Sequence, residues 1–150
     1  MRKMSKYYLK CHELFALRIG KLKEQVKKLH ATLSKDEFSQ HETVKLAARI
    51  RRATVEIIPE DPNRPEYVLS GDLRKYRRYK QGLQRYRIMF CFSNKPGIII
   101  YLYVNDKDHL RKQGGGNDPY EEFKQMVRGG KTSHDPQDPA IQKWIRRYQY

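Results

Sequence analysis

Two helical patterns occupy the first part of the chain. From residue 5 to residue 33, apolar side chains recur every three or four positions, the spacing of one helix face: Cys11, Phe15, Ile19, Leu22, Val26, Leu29 and Leu33. A second pattern begins after Ser34, a good N-cap residue that is followed by Asp36 and Glu37 in the first turn. Prolines at positions 59, 62 and 65 end this pattern. We expect the two helices to form an antiparallel hairpin that covers a sheet.

Three strand-like segments follow, at about residues 75–80, 84–93 and 97–105. In the second segment, Ile88 and Phe90 alternate with Arg87 and Met89, so we expect the first pair to face the core. Turns at residues 81–84 and 93–97 join the three segments into two hairpins. The third segment is apolar on both faces, which is typical of a central strand.

A third helix is predicted close to the C-terminal end. Asn117 or Asp118 can cap it, Pro119 suits its first position, and Gly129 can end it. We expect the three glycines at residues 114–116 to form a flexible hinge before this helix.

The segment after residue 130 leaves two alternatives open, a docked segment and a flexible tail at residues 131–150. The order of two helices, three strands and one helix predicts an α+β fold. The length predicts one domain that comprises residues 1–150.

Four basic residues lie close to the turn between the first two strands: Arg78, Lys80, Arg85 and Arg87. If Lys80 and Arg85 close the turn, Arg78 lies opposite Arg87 and all four cations share one sheet face. Like charges that face each other destabilise a sheet, so this cluster indicates an anionic ligand rather than a solvated charged face. Arginine forks match phosphate oxygens, and aromatic rings stack on exposed bases. The tyrosines that interleave with the cluster therefore favour nucleic acid: Tyr76, Tyr79, Tyr101 and Tyr103.

Composition supports an anionic partner. The chain has 32 Lys and Arg residues against 17 Asp and Glu residues, and its formal net charge is +15. Such a charge favours nucleic acid, an acidic protein or an anionic membrane surface. No apolar segment approaches the length of a membrane span, and the N-terminus lacks the apolar core of a signal peptide. We therefore expect a cytoplasmic protein in which Cys11 and Cys91 are buried, reduced thiols.

No metal or cofactor is expected. The five histidines show no metal-ligand spacing, and neither cysteine pairs with any of them: His12, His30, His41, His109 and His134. We interpret them as solvated or packing side chains.

At residues 85–127 the chain closely resembles the YhaV toxins, larger members of the RelE/ParE superfamily of type II toxin–antitoxin systems. The stretch begins with Arg85-Tyr86-Arg87 and continues through a strand that ends at Asn105-Asp106. The remaining matching positions are Leu110, Arg111, Asp118, Tyr120, Phe123 and Met126, with Arg78 and Lys80 upstream.

The resemblance implies a RelE-like fold, in which an N-terminal helical hairpin packs on a small antiparallel sheet and a C-terminal helix follows. It implies an endoribonuclease toxin that cleaves mRNA on the translating ribosome without a metal. In this family the ribose 2′-hydroxyl attacks the adjacent phosphate and leaves a cyclic phosphate. The implied partners are mRNA, the ribosome and a PrlF-like antitoxin with an AbrB-type DNA-binding domain. Operator DNA would be bound through the antitoxin complex.

The resemblance also implies roles for individual residues. The catalytic residues would be Lys80 as general base, Arg87 on the scissile phosphate, Arg111 at the developing charge or the leaving oxygen, and Tyr120 to orient or stack a nucleotide. The RNA-binding residues would be Arg78, which holds a neighbouring phosphate, with Arg85, Tyr76 and Tyr103. Two other functions stay open from the sequence: a ParE-like gyrase inhibitor and a nucleic-acid-binding protein without catalysis.

Overall fold

The structure is a computed structural model, and it describes residues 6–111 and 118–150 of the chain. The five strands are β1 (Tyr8–His12), β2 (Arg77–Tyr79), β3 (Ile88–Asn94), β4 (Gly97–Val104) and β5 (Ile145–Arg147). The α-helices are α1 (Glu13–Thr32), α2 (Lys35–Gln40), α3 (Glu42–Arg52), α4 (Ile58–Glu60) and α5 (Pro119–Arg128). A π-helical turn, Ala53–Ile57, joins α3 to α4, and 3₁₀ turns lie at Pro65–Tyr67, Gly71–Leu73 and Pro139–Trp144. The predicted α+β class is confirmed, and the arrangement is consistent with a RelE-like fold.

The sheet has the order β2-β3-β4-β1-β5, so β4 is central, as its two apolar faces predicted. The sheet is mixed rather than antiparallel throughout, because β1 pairs with β4 in parallel. One face packs against the helical hairpin of α1 and α3 through residues such as Phe15 and Ile50. The other face packs against α5 through Phe123 and Met126. Organisation as a single domain stays a prediction.

The predicted first helix was wrong at its start. Residues 8–12 form β1, whose register with β4 runs from Tyr8 opposite Ile98 to Cys11 opposite Tyr101. His12 then caps α1, because its Nδ1 accepts a hydrogen bond from Leu14 N at 3.0 Å. The helix spacing of Cys11 and Phe15 is thus shared between the end of a strand and the start of a helix.

The second helical region begins where the sequence predicted. Ser34 caps α2 in a capping box, in which Ser34 Oγ accepts from Glu37 N and Glu37 Oε1 accepts from Ser34 N, both at 3.2 Å. The helix is interrupted at His41, which caps α3, so the single predicted helix is two. Asp118 caps α5 with Pro119 in its first turn. Asn117 and the glycines at 114–116 lie outside the described residues.

A buried tyrosine explains the π-helical turn. Tyr101 Oη donates to the carbonyl oxygen of Thr54 at 2.6 Å, and the Thr54 side chain contacts Tyr148 Oη at 2.7 Å. A π-bulge releases a carbonyl from the regular helical ladder, which is what Tyr101 requires here. The turn therefore has a packing role between the helical hairpin and the sheet.

The C-terminal segment is docked. β5 pairs antiparallel with β1, with Lys10 opposite Arg147 and His12 opposite Ile145. Tyr148 is buried against Phe15 and Tyr101. Both cysteines are buried free thiols, as expected. No helix in residues 6–111 and 118–150 is long and apolar enough to cross a membrane.

Candidate functional site

The basic hairpin has a different register from the predicted one. Arg78 lies opposite Met89 and Tyr79 opposite Ile88, so the pairing is shifted by two residues and Arg78 does not face Arg87. A shift of two residues preserves the face on which each side chain lies. The connection is longer than predicted, because β2 ends at Tyr79 and β3 begins only at Ile88. Leu83 is buried and anchors this loop, so Lys80, Arg85 and Arg87 belong to a loop and not to a flat sheet face.

Two arginines from different elements meet at one tyrosine. Arg78, on β2, donates from Nη1 to Tyr120 Oη at 3.2 Å. Arg111 follows β4, and its guanidinium carbon lies 5.1 Å from the centre of the Tyr120 ring. Arg111 also forms an ion pair with Asp118, which caps the helix that carries Tyr120. Arg78, Arg111 and Tyr120 are therefore brought together, and we refer to these three residues as the arginine–tyrosine site.

Arg85 joins this site through the backbone of Arg111. Arg85 Nε donates to the Arg111 carbonyl at 3.0 Å, and Arg111 N donates to the Arg85 carbonyl at 2.8 Å. Asn105, at the end of β4, fixes the same loop: its Oδ1 accepts from Arg87 N at 2.7 Å and its Nδ2 donates to Arg85 O at 3.1 Å. This reciprocal set of bonds holds the 85–87 loop beside Arg111.

The side chains of the other two predicted catalytic residues form no hydrogen bond with Arg78, Arg111 or Tyr120 among the described residues. Arg87 directs Nη1 to the carbonyls of Gln84 and Tyr86 in its own loop, and its Nε is buried without a hydrogen-bond partner among the described residues. Lys80 is exposed in the turn after β2. Its ammonium group forms no ion pair or hydrogen bond with the part of the chain that the structure describes.

Two of the predicted RNA-binding residues are core residues. Tyr76 is 4% exposed and packs against Phe123, while Tyr103 is 0% exposed and donates to Glu122 Oε1 at 2.5 Å. A β-bulge beside Met89 and Phe90 turns Tyr103 to the α5 face, opposite to the face of Tyr101. Neither Tyr76 nor Tyr103 presents a ring to solvent. We therefore correct the prediction that these two side chains bind RNA by stacking on its bases.

A partly buried ionic network connects the elements that carry the site. Arg18 of α1 forms a two-pronged bond to Glu122 of α5, with both N–O distances 2.8 Å. His109 links two carboxylates, with Nδ1 2.7 Å from Asp106 Oδ1 and Nε2 3.3 Å from Glu122 Oε2. The network ties the loop that carries Arg111 to the helix that carries Tyr120. Sequence reasoning missed it and interpreted His109 as a solvated or packing side chain, although Asp106 and His109 stand three residues apart in a loop.

The network changes the pKa of its acids. Burial alone would raise the pKa of the Glu122 carboxyl, but hydrogen bonds from Arg18 and Tyr103 outweigh it and hold that pKa below its usual value. Burial opposes ionisation of Asp106 as well, and the bond from His109 with the charge of Arg18 lowers its pKa. Burial, strengthened by the hydrogen bond to Glu122, raises the pKa of Tyr103, which therefore stays a neutral O–H donor.

These shifts predict a loss of stability in acid. Because the folded pKa values of Glu122 and Asp106 lie below the unfolded ones, their contribution is complete above the unfolded pKa of about 4. This stabilising contribution is lost as the pH falls through the pKa values of the two carboxyls in the folded protein. We expect the free energy of unfolding, measured in urea at a series of pH values, to fall below about pH 4. The free energy of unfolding should fall less steeply with decreasing pH for Glu122→Gln than for the control Glu121→Gln, which alters a more exposed residue. An equally steep fall in both variants would show that Glu122 does not contribute to the loss of stability in acid.

The carboxylates of the network contact cationic side chains of the protein. Arg18 bonds Glu122 and also lies 3.5 Å from Asp106 Oδ2. In residues 6–111 and 118–150, no group of three or more His, Cys, Asp or Glu side chains has the geometry to hold a metal ion.

The sequence matches known toxins over most of the chain. The family model of the YhaV toxins, described as a toxin with endonuclease activity of a toxin–antitoxin system, matches residues 9–142. The ribonuclease toxin YhaV of Escherichia coli is 31% identical over 108 residues, which are 69% of this chain and 68% of that protein. Toxin YhaV of Escherichia coli O157:H7 has the same identity and coverage. No solved structure gives a significant match.

The matched region contains β2 to α5 and hence every residue of the arginine–tyrosine site. A toxin of such a system has a cognate antitoxin. The chain therefore belongs to the YhaV family of toxins, which have endonuclease activity and act in toxin–antitoxin systems.

Proposed function

We propose that this protein is an endoribonuclease that cleaves mRNA at the arginine–tyrosine site, without a metal and on the translating ribosome. The observation that carries the proposal is the meeting of Arg78 and Arg111 at Tyr120, with Arg85 fixed beside them. RNA is favoured over DNA because a cationic site without metal ligands suits a substrate that supplies its own nucleophile, the ribose 2′-hydroxyl. The relative from Escherichia coli is named a ribonuclease, which agrees with this choice.

Charge stabilisation is the main task of the site. When the 2′-oxygen attacks the adjacent phosphate, negative charge accumulates on the phosphate oxygens. Arg78 and Arg111 supply guanidinium groups for that charge, and Arg85 supplies a third for a neighbouring phosphate. Arg111 is positioned for this role by its ion pair with Asp118 and by contact with the Tyr120 ring.

Tyr120 is the proposed proton donor to the leaving oxygen. Its oxygen accepts a hydrogen bond from Arg78, so its own O–H hydrogen is left to point at the substrate. An arginine is a poor candidate, because its guanidinium does not lose a proton in proteins. Arg111 is thus assigned to charge stabilisation and Tyr120 to proton transfer.

Lys80 is the proposed general base. In its neutral form its amine takes the proton of the 2′-hydroxyl as the new O–P bond forms and the P–O5′ bond breaks. The products are a 2′,3′-cyclic phosphate and a 5′-hydroxyl end. Lys80 is exposed on a loop beside β2, which leaves its long side chain able to reach a bound ribose.

Arg87 is proposed as a third contact to the scissile phosphate, beside Arg78 and Arg111. Two carbonyls of the loop hold its Nη1, so the phosphate contact falls to Nη2. The same two bonds keep Arg87 from folding away from the site, which is the preorganisation that charge stabilisation needs.

The proposed partners follow from charge and family. An excess of 15 positive charges favours the anionic surface of the ribosome and mRNA. The antitoxin is proposed to be PrlF-like with an AbrB-type DNA-binding domain, through which the complex would bind operator DNA. Acidic antitoxin side chains on Arg78 and Arg111 would neutralise the toxin by competition with RNA.

The test is to incubate the pure protein with mRNA, with and without translating ribosomes, in the presence of EDTA. We expect cleavage that survives EDTA and is faster on ribosomes, with 5′-hydroxyl ends on the products. Cleavage that requires a divalent cation or yields 5′-phosphate ends would contradict the mechanism. RNA binding without cleavage would support a non-catalytic protein, and gyrase inhibition without cleavage would support a ParE-like function.

A further inference from the structure

A basic cleft of about 440 Å³ lies beside β2, outside the arginine–tyrosine site. It is lined by Arg74, Lys75, Arg77, Cys91, Phe92 and His134. Three of the six residues carry a permanent positive charge and none is acidic. The segment that enters β2 supplies two of the cations, β2 supplies the third, and the C-terminal loop supplies the histidine.

The three cations are not neutralised by the protein. None of them forms an ion pair with residues 6–111 or 118–150. Their hydrogen bonds go to neutral oxygens, as from Arg74 Nη1 to Gly71 O at 3.2 Å. Arg77 Nε is buried and has no hydrogen-bond partner among the described residues, which is an unfavourable state that a bound acceptor would relieve.

Two carboxylates of the C-terminal loop accept hydrogen bonds from the backbone of that loop. Asp135 Oδ1 accepts from Gln137 N, and Asp138 Oδ1 accepts from Ala140 N, both at 2.9 Å. The cleft also pairs a cation with an aromatic ring, because the Arg77 guanidinium carbon lies 5.6 Å from the centre of the Phe92 ring. Cations next to an aromatic ring are the pairing found where single-stranded nucleic acid binds.

The cleft adjoins the proposed catalytic site across one strand. Arg77 and Arg78 are consecutive residues of β2, and consecutive side chains of a strand point to opposite faces. Arg78 belongs to the arginine–tyrosine site, and Arg77 lines the cleft. β2 is the outermost strand of the sheet, and Val68 forms an isolated bridge to Arg77 on its outer side. A flexible chain that reaches from one arginine to the other therefore passes over the short segment around Val68.

We propose that this cleft is a second RNA-binding site, which holds a phosphate group of the same RNA strand away from the scissile bond. Arg74, Lys75 and Arg77 bind the phosphate oxygens, and a neighbouring base packs against the Arg77–Phe92 pair. The inference rests on the proposed ribonuclease function and adds a binding interaction that raises affinity for longer RNA. Continuity with the catalytic site across β2 favours RNA over an acidic antitoxin segment as the occupant.

The test compares two double variants that remove the same charge. Arg74→Ala/Lys75→Ala alters exposed residues of the cleft, and Lys27→Ala/Lys28→Ala alters exposed residues near the end of α1. The probe is a single-stranded RNA with methylated 2′-hydroxyls, which the proposed mechanism cannot cleave. Its dissociation constant is measured over a range of salt concentrations, and cleavage of the unmodified RNA is measured in parallel.

We expect the cleft variant to bind about tenfold more weakly, with a salt dependence whose slope falls by roughly 0.7 for each phosphate that the variant no longer neutralises. Its cleavage rate at saturating RNA should match that of the wild type, and the α1 variant should retain wild-type affinity. Equally weakened binding in both variants, or unchanged binding in the cleft variant, would overturn the second site. Impaired antitoxin binding with unchanged RNA affinity would assign the cleft to the antitoxin instead. A wild-type protein that cleaves no RNA either free or on translating ribosomes would contradict the proposed function itself.

Discussion

Replacement of Arg78 by alanine should slow RNA cleavage by about 10²–10³-fold, the usual effect of removing one preorganised donor from a developing negative charge. Arg78 bonds Tyr120 Oη, so the variant also lacks the hydrogen bond that orients the proposed proton donor. The measurement is single-turnover cleavage, because it reports the chemical step and not product release.

The matched control is Arg51→Ala, which removes an exposed arginine of α3. It should cleave RNA at the wild-type rate. Arg78 has only part of its side chain in the protein interior, so both variants should remain folded in a thermal melt. A folded Arg78→Ala protein with full activity would show that the catalytic site does not lie at Arg78 and Tyr120.

Replacement of Glu122 by alanine should destabilise the protein by about 3–5 kcal/mol, the usual cost of removing one partner from a buried ion pair. Arg18 is 13% exposed and Glu122 22% exposed, so water cannot replace the missing carboxylate well. The change leaves Arg18 without its principal counter-charge, and it removes the acceptor of the Tyr103 hydroxyl. The free energy of unfolding is measured in urea at neutral pH.

The neighbouring residue supplies the control for this variant. Glu121 is 46% exposed and forms a surface ion pair with Lys124 at 3.5 Å. Such pairs contribute about 0–1 kcal/mol, so Glu121→Ala should change stability little. If Glu122→Ala lowers the free energy of unfolding as little as Glu121→Ala, the network does not stabilise the packing of α5 against α1.

The sequence predicted elements with strong local signals. Ser34 carried the capping box, Pro119 opened α5, and the two apolar faces of β4 placed it in the centre of the sheet. Each depends on chemistry within a few residues. β1 was missed because Tyr8–His12 is held by pairing with β4, an interaction between residues about ninety positions apart that leaves no local periodicity.

The candidate site was predicted in part, for the same physical reason. The basic residues around the 80–87 loop were identified, but their register was not, because buried Leu83 lengthens the loop and shifts the pairing of β2 with β3. The bulge that turns Tyr103 inward also depends on that pairing. The Arg18–Glu122–His109 network joins three distant segments, so its members appear in the sequence only as ordinary charged residues.

The most direct test of the central claim uses an RNA substrate with one 2′-hydroxyl removed at the cleaved position. If the arginine–tyrosine site drives attack by the 2′-oxygen, the protein should cut the unmodified RNA on translating ribosomes and leave the deoxy-substituted bond intact. The deoxy-substituted RNA should still bind the protein with the affinity of the unmodified RNA, since the phosphates proposed to contact Arg78 and Arg111 are unchanged. Cleavage of the deoxy-substituted bond at the normal rate would contradict the account.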